Sequence, residues 1–234
     1  MGDNVTPTET ESRITRPSDK KFRELPRPIV AVDTALLTID PDRRQLQVVE
    51  MAREDTGKWA LPGTFLRKRE TLAEAVERCL RDKIGVQGVR PQQLSVFDDP
   101  DRDDRDWVIS VAHVAVVRPD HLEALGSGAA YETRRAPVDR PGELAWDHPK
   151  IVRLAKEYIR SRYQAEPDPD RLLGRRFTLS ELQRVHEAVE GDEFKRYTFR
   201  RAMDGHLAGT GIFNEHTGHR GRPAEFFRRK REGE

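Results

Sequence analysis

The stretch from Gly63 to Val86 constrains the fold of this chain most strongly, because it combines a helix start, an apolar stripe and a glycine stop. Thr71 and Glu74 have the spacing of a capping box, in which hydroxyl and carboxylate oxygens accept bonds from the free N–H groups at a helix start. Gly85 is placed to end the helix in a left-handed turn. Between these signals apolar residues recur at every fourth position and predict a buried stripe: Leu72, Val76, Leu80 and Ile84.

Strand signals flank this helix on both sides. Residues 29–39 and 45–52 are rich in β-branched and apolar residues and are separated by turn residues, which predicts a hairpin. Such mixed strands and helices predict an α/β (α+β) domain over residues 27–163. The further strands are expected at 59–66, from 92 onward, at 107–117 and at 144–146, and the further helices at 120–125 and 149–162.

Composition limits which cores, bonds and locations are open to the chain. Of 234 residues, 35% are hydrophobic and 35% are charged, which favours two modest cores and a polar tail over one large core. A single cysteine, Cys79, excludes an internal disulfide and a cysteine-based zinc site. The sequence has no apolar run of membrane-spanning length and no apolar segment near its start, so we expect a cytosolic protein without membrane contact. Residues 1–26 are polar and aperiodic, which predicts a disordered lead-in.

A second unit follows the first domain. The segment 164–170, QAEPDPD, contains two prolines and three acids and is predicted to be a linker. In the unit 171–234, Thr178 and Glu181 form another capping box, and Gly191 is placed to end that helix. A second helix near 194–205 and two short strands near 211–213 and 224–227 follow. This order is typical of a small winged helix-turn-helix domain.

The second unit is also basic where DNA would lie. Phe199 and Met203 are one turn apart and should face the core, which leaves cationic side chains on the remaining surface. The loop 216–222 is short, glycine-containing and cationic, as a wing along DNA requires. The alternative interpretation is a solvated charged helix followed by a polar tail. The predicted DNA-binding residues are Lys195, Arg196, Thr198, Arg200 and Arg201 on the helix and His219, Arg220 and Arg222 in the loop.

The charges of residues 63–86 resemble the Nudix box, Gly-x5-Glu-x7-Arg-Glu-φ-x-Glu-Glu-x-Gly-φ, where φ is apolar. Glu70 falls on its first glutamate, Arg78 on its arginine and Gly85 on its second glycine. In Nudix hydrolases clustered carboxylates hold the divalent metal that neutralises a pyrophosphate and activates water. The resemblance therefore implies a Nudix-fold sandwich with a nucleotide diphosphate pocket.

The departures from the box argue against catalysis. Thr64 replaces its opening glycine, and Cys79, Asp82 and Lys83 stand at its three later glutamates. Only Asp82 keeps a carboxylate, and Lys83 places a positive charge where the cation would sit. We therefore expect an inactive Nudix domain with no metal and no catalytic residues, in which Lys83 contacts a phosphate directly. The degenerate box consists of Glu70, Arg78, Cys79, Asp82 and Lys83.

The acidic loop over residues 98–106 is either a solvated connection or a wall of the nucleotide site. Its sequence is similar to the corresponding part of ADP-ribose-binding Nudix domains, in which arginines and acids face the ligand. Trp59 and Trp107 could stack on adenine or simply pack in the core. The expected effector-binding residues are Trp59, Arg78, Lys83, Arg102 and Arg105.

Residues 28–232 together resemble the Nudix-related transcriptional regulator family (NrtR). The segments that carry this resemblance are the broken box, DPDRDDRDWVISVA, TLSELQRVHEAV, KRYTFRR and GRPAEFF. The resemblance implies a homodimer that binds a palindromic operator in double-stranded DNA and represses NAD metabolism genes. It also implies ADP-ribose or a related NAD-derived nucleotide as effector, with no cofactor required.

Two other functions remain open from the sequence. One is an active Nudix hydrolase of the ADP-ribose pyrophosphatase type with an accessory C-terminal domain. The other is a nucleotide sensor that binds a protein partner through its basic tail.

Overall fold

The computed structural model describes residues 24–125, 130–214 and 223–230. The predicted lead-in over 1–26 therefore lies outside the described residues, apart from residues 24–26.

A seven-stranded mixed sheet forms the first domain. The predicted hairpin is confirmed, since β1 and β2 pair antiparallel. On its other edge β1 runs parallel to β6, and the strand order is β3-β2-β1-β6-β5, with β4 on β1 and β7 on β2. The strands are β1 (Ile29–Asp40), β2 (Gln45–Ala52), β3 (Trp59–Ala60), β4 (Gly63–Phe65), β5 (Gln92–Phe97), β6 (Val108–Val116) and β7 (Thr133–Pro137).

Helices cover both faces of this sheet. They are α1 (Leu72–Ile84), α2 (Pro119–Leu125) and α3 (His148–Ala165). The predicted capping box is confirmed: Thr71 Oγ1 accepts a bond from the Glu74 N–H, and the Glu74 carboxylate accepts one from the Thr71 N–H at 2.8 Å. Gly85 ends α1 at φ 72°, a left-handed conformation that glycine adopts without steric cost. One apolar cluster joins α1 to the sheet, and a second joins α3 to the opposite face.

The second unit is a winged helix-turn-helix, as predicted. It contains β8 (Phe177–Thr178), α4 (Leu179–Glu190), α5 (Arg196–Met203), β9 (Leu207–Phe213) and β10 (Glu225–Arg229). The strands form a sheet in the order β8-β10-β9. The capping box of Thr178 and Glu181 is confirmed at the start of α4. A small core lies between the helices and the sheet: Phe177, Leu182, Phe199, Met203 and Leu207.

Two local predictions for the first domain need correction. Strand β7 was missed because only Ala136 of its five residues is buried, and pairing with β2 holds it in the sheet despite a weak sequence pattern. The strand expected at residues 144–146 is a single bridge between Trp59 and Leu144.

The segment 164–170, which was predicted to be a linker, is a packed junction. Helix α3 continues through Ala165, and Asp168 is fully buried. The Asp168 carboxylate accepts bonds from the Leu172 and Leu173 N–H groups at 2.7 and 2.9 Å, and Arg229 of β10 pairs with it. A buried carboxylate with this many donors fixes the backbone around it.

The expectation of two separate cores is wrong for α4. Val185, Ala188 and Val189 of α4 belong to the same buried cluster as residues of β1, β2 and α3. Arg44, in the hairpin turn, also reaches Glu187 of α4 at 3.3 Å. The first helix of the winged unit is thereby packed on the sheet of the first domain.

His186 of α4 supplies a prediction about pH. Its ring contacts Tyr163 and Phe199 edge-to-face at 5.1 and 5.2 Å, and burial lowers its pKa from 6.5 to about 4. Between these two pH values the unfolded chain binds the proton and the folded chain does not. The contribution of neutral His186 to the free energy of unfolding is therefore complete above pH 6.5. It is lost as the pH drops toward 4, by about 3 kcal/mol in all.

Urea unfolding across this pH range measures the effect. The fall of the unfolding free energy with decreasing pH should become shallower in His186→Gln. It should persist in the control His121→Gln, since His121 is an exposed residue of α2. An unchanged slope in His186→Gln would contradict the assignment.

Candidate functional site

A cleft that opens to solvent lies beside β1 and β4. The backbone is packed closely there: a Cβ at Gly63 would overlap Asp33 Oδ1, so only glycine fits. Its charged and aromatic lining residues are Asp33, Arg53, Phe65, Lys83, Arg102, Asp103, Arg105, Trp146 and His148.

A buried ionic cluster forms the floor of the cleft. Arg102 donates to both carboxylate oxygens of Asp147, at 3.0 and 2.7 Å, and to Asp33 at 3.4 Å. Burial by itself would raise the pKa of Asp33, but hydrogen bonds from His148 and Ser110, together with the Arg102 charge, outweigh it and lower this pKa. Arg102 is thus at the cleft, as predicted, but its charge is already balanced by two carboxylates. Its role is to position the acidic loop against the start of α3.

The tautomer of His148 follows from its hydrogen bonds. The Leu61 N–H donates to His148 Nδ1 at 2.9 Å, so the neutral ring carries its proton on Nε2, which faces Asp33 Oδ1 at 3.5 Å. His148 therefore ties α3 to β1 and to the segment before β4.

Cationic and aromatic side chains meet at the mouth. The Arg105 guanidinium lies 4.5 Å from the Trp146 ring centroid, and Arg53 lies 5.1 Å from it. Asp103 accepts two bonds from Arg105, at 2.8 and 2.7 Å. Arg105 is where the sequence predicted it. Trp146, Arg53 and Asp33 were missed, because each is an isolated residue that no sequence motif or periodic pattern places at the cleft.

Lys83 also lies at the cleft. Its ammonium donates to the Gly63 carbonyl at 2.6 Å and lies 5.5 Å from the Tyr131 ring centroid. The side chain is thus held at the edge where a Nudix box would supply a carboxylate.

Arg78 and Trp59, which were expected to contact the effector, lie outside the cleft lining. Arg78 donates to both Glu70 carboxylate oxygens, at 2.6 and 2.9 Å, and to the Phe65 carbonyl at 3.0 Å. These bonds raise the pKa of Arg78 and lower that of Glu70 to about 2, so the pair clamps the loop before α1. Trp59 is covered by the Arg134 guanidinium, 3.9 Å from its ring centroid.

The residues of the box do not fit a divalent metal. Glu70 is engaged by Arg78, and Asp82 pairs with Arg81 at 2.9 Å. Cys79 is buried, and burial raises its pKa to about 12, so it stays a neutral thiol. Across residues 24–125, 130–214 and 223–230, no three His, Cys, Asp or Glu side chains are grouped to hold a metal ion. Mg²⁺ prefers several hard oxygen ligands, which this donor set does not supply.

The second candidate interface is the outer surface of α5. Phe199 and Met203 are buried as predicted. Tyr197, 77% exposed, was not predicted and extends this surface. The loop residues His219, Arg220 and Arg222 lie outside the described residues. The helix-borne DNA-binding candidates Lys195, Arg196, Thr198, Arg200 and Arg201 are all exposed.

Comparison with protein families accounts for both units. The model for the NUDIX domain matches residues 30–155, and the model for the NrtR DNA-binding winged helix domain matches residues 170–229. The chain belongs to the Nudix-related NrtR family. It combines a Nudix-fold sheet domain with a C-terminal winged helix domain.

Individual relatives agree with this assignment. The crystal structure of Shewanella oneidensis NrtR complexed with a 27mer DNA superposes with a TM-score of 0.70 at 28% identity, covering 86% of this chain and 93% of that one. An Acinetobacter baylyi protein named ADPR responsive transcriptional repressor NtrR is 25% identical over 184 residues, 77% of this chain and 74% of that protein. An ADP-ribose pyrophosphatase of Methanocaldococcus jannaschii is 34% identical over 141 residues, 60% of this chain and 79% of that protein.

No helix in the described part of this NrtR-family chain is long and apolar enough to cross a membrane.

The raised pKa of Cys79 predicts that its thiol does not react in the folded protein. Iodoacetamide near neutral pH should leave the single cysteine unmodified, because both the thiolate fraction and the exposure are low. Mass spectrometry before and after adding urea measures the modification, and the urea sample is the control that must react. Rapid alkylation without urea would contradict the packing of α1.

Proposed function

We propose that this chain is a nucleotide-responsive transcriptional repressor of NAD metabolism genes. It binds a palindromic operator in double-stranded DNA as a cytoplasmic homodimer, and ADP-ribose or a related NAD-derived nucleotide is its effector. The observation that carries the proposal is that one helix, α3, begins at the cleft and ends at the winged unit.

The chemistry of the cleft supports a nucleotide diphosphate. Lys83, Arg53 and Arg105 bring three cationic side chains to one opening beside Phe65 and Trp146. Guanidinium groups bind phosphate oxygens in pairs, and aromatic rings stack on bases. The Acinetobacter baylyi relative, named as ADPR responsive, supports ADP-ribose in particular.

Helix α3 offers a physical path from effector to DNA. Asp147 and His148 at its start belong to the ionic floor of the cleft. Its 18 residues span about 27 Å. Near its end the Tyr163 hydroxyl donates to Asp168 at 3.3 Å, and Asp168 pairs with Arg229 of β10. A nucleotide that shifts the start of α3 therefore changes the placement of the winged unit, and the spacing of two recognition helices no longer matches the operator.

The proposal includes an inactive Nudix domain. Its support is the donor set, because Lys83 lies where a metal ligand is needed and the Cys79 thiol is buried. The alternative function is an ADP-ribose pyrophosphatase with an accessory C-terminal domain, which the Methanocaldococcus jannaschii relative favours.

Substitution of the α5 arginines tests DNA binding. Arg196→Ala with Arg200→Ala should lower the affinity for upstream DNA of NAD metabolism genes at least about tenfold, because both side chains are exposed on the recognition helix. Gel shifts at fixed salt measure this. The control Arg90→Ala removes an exposed charge from the first domain and should bind normally. Equal affinity of the unsubstituted chain for these fragments and for random DNA would refute the operator proposal.

Release of AMP from ADP-ribose tests the alternative. With Mg²⁺ present, the unsubstituted chain should release no more AMP than Glu70→Gln does, because the box lacks a metal-binding donor set. Chromatography of the nucleotides measures the products. Magnesium-dependent AMP release that disappears in Glu70→Gln would establish the hydrolase instead.

A further inference from the structure

Trp146 holds an unusual position at the mouth of the cleft. Its φ is 53°, in the left-handed region that a bulky residue seldom adopts. The neighbouring residues Leu144, Ala145 and Asp147 are buried, and the Ala145 N–H donates to the Trp59 carbonyl at 2.8 Å. The backbone is therefore fixed on both sides of Trp146, and the kink directs its half-buried ring to the cleft.

Guanidinium groups already lie against this ring. Arg105 lies 4.5 Å and Arg53 lies 5.1 Å from the ring centroid. Each arginine is oriented by a carboxylate, Arg105 by Asp103 and Arg53 by Asp55. A ring that accepts a flat cationic group also accepts a flat nucleobase, since both stack on the π face.

We propose that Trp146 is the residue on which the effector's base stacks, and that Arg105 and Arg53 turn from the ring to the diphosphate when it does. This inference rests on the proposed nucleotide site and assigns the base to one residue of it. The base takes the ring face, and the two guanidiniums gain phosphate oxygens as partners. Recognition of the base and of the phosphates is thereby linked through the same two side chains.

The other aromatic residues fit this role less well. Trp59 lies outside the cleft and is covered by Arg134. Trp107 is exposed but also lies outside the cleft lining. Phe65 lines the cleft, and its ring centroid is 5.8 Å from the Arg105 guanidinium, farther than that of Trp146. Among the described residues, Trp146 is the tryptophan that combines cleft exposure with two cationic neighbours.

Binding measurements on the full chain with two probes test the assignment. ADP-ribose carries a base, and inorganic pyrophosphate carries the charge alone. Trp146→Ala should weaken ADP-ribose binding at least about tenfold and leave pyrophosphate binding nearly unchanged, because only the base loses its platform. Trp146→Phe should retain most of the affinity, and the control Trp107→Ala should retain all of it.

Fluorescence gives a readout that does not depend on the folding of Trp146→Ala. The chain has three tryptophans, so Trp59→Phe with Trp107→Phe leaves Trp146 alone. Adding ADP-ribose to this variant should quench its emission, and adding pyrophosphate should not. ADP-ribose affinity unchanged in Trp146→Ala, an equal loss for both probes, or saturable binding without quenching would overturn the inference while leaving the nucleotide site in place. Failure of the unsubstituted chain to bind any nucleotide would overturn the proposed function itself.

Discussion

Helix α3 packs against both the sheet and α4 and thereby joins the two units. Ile151, Ala155 and Ile159 of α3 are almost completely buried, in the same cluster as Val185 and Val189 of α4. Full burial of each large aliphatic side chain contributes about 1.5–3 kcal/mol. Dense packing of this kind transmits displacements instead of absorbing them. The winged unit is consequently attached to the first domain through a packed helix.

The ionic floor of the cleft fixes the position of the first turn of α3. Burying charges is costly unless each has close partners, and here Arg102 bonds Asp147 and Asp33 while Ser110 donates to Asp33 at 2.6 Å. Because Asp147 directly precedes α3, a ligand that rearranges the mouth acts on the first turn of the helix. The residues of the degenerate box lie nearby: Lys83 lines the cleft, and the Arg78–Glu70 pair clamps the loop before α1.

Much of the fold was predictable from local sequence signals. Both capping boxes, both glycine stops, the hairpin and the order of elements in the winged unit follow from rules that operate within a few residues. Strand β7 and the packed junction around Asp168 were not predictable, because they depend on partners far along the chain: β2 in one case, Arg229 in the other.

The same reason explains which residues of the cleft could be predicted from the sequence. The family resemblance points to Lys83, Arg102 and Arg105, which line the cleft, whereas Trp146 and Asp33 reach it only through tertiary packing. Arg78 and Trp59 lie outside the cleft lining because Glu70 and Arg134 engage them, which sequence spacing does not show.

Thermodynamic linkage makes coupling between the cleft and the winged unit measurable from the nucleotide side. If ADP-ribose lowers the affinity for operator DNA, then DNA must lower the affinity for ADP-ribose by the same factor. Calorimetric titration of ADP-ribose into the free chain and into the chain saturated with operator DNA compares the two affinities. We predict that nucleotide binding is weaker in the DNA complex, by the same factor by which ADP-ribose weakens DNA binding in gel shifts. Equal ADP-ribose affinity of the free and the DNA-bound chain would show that the cleft and the winged unit are not coupled.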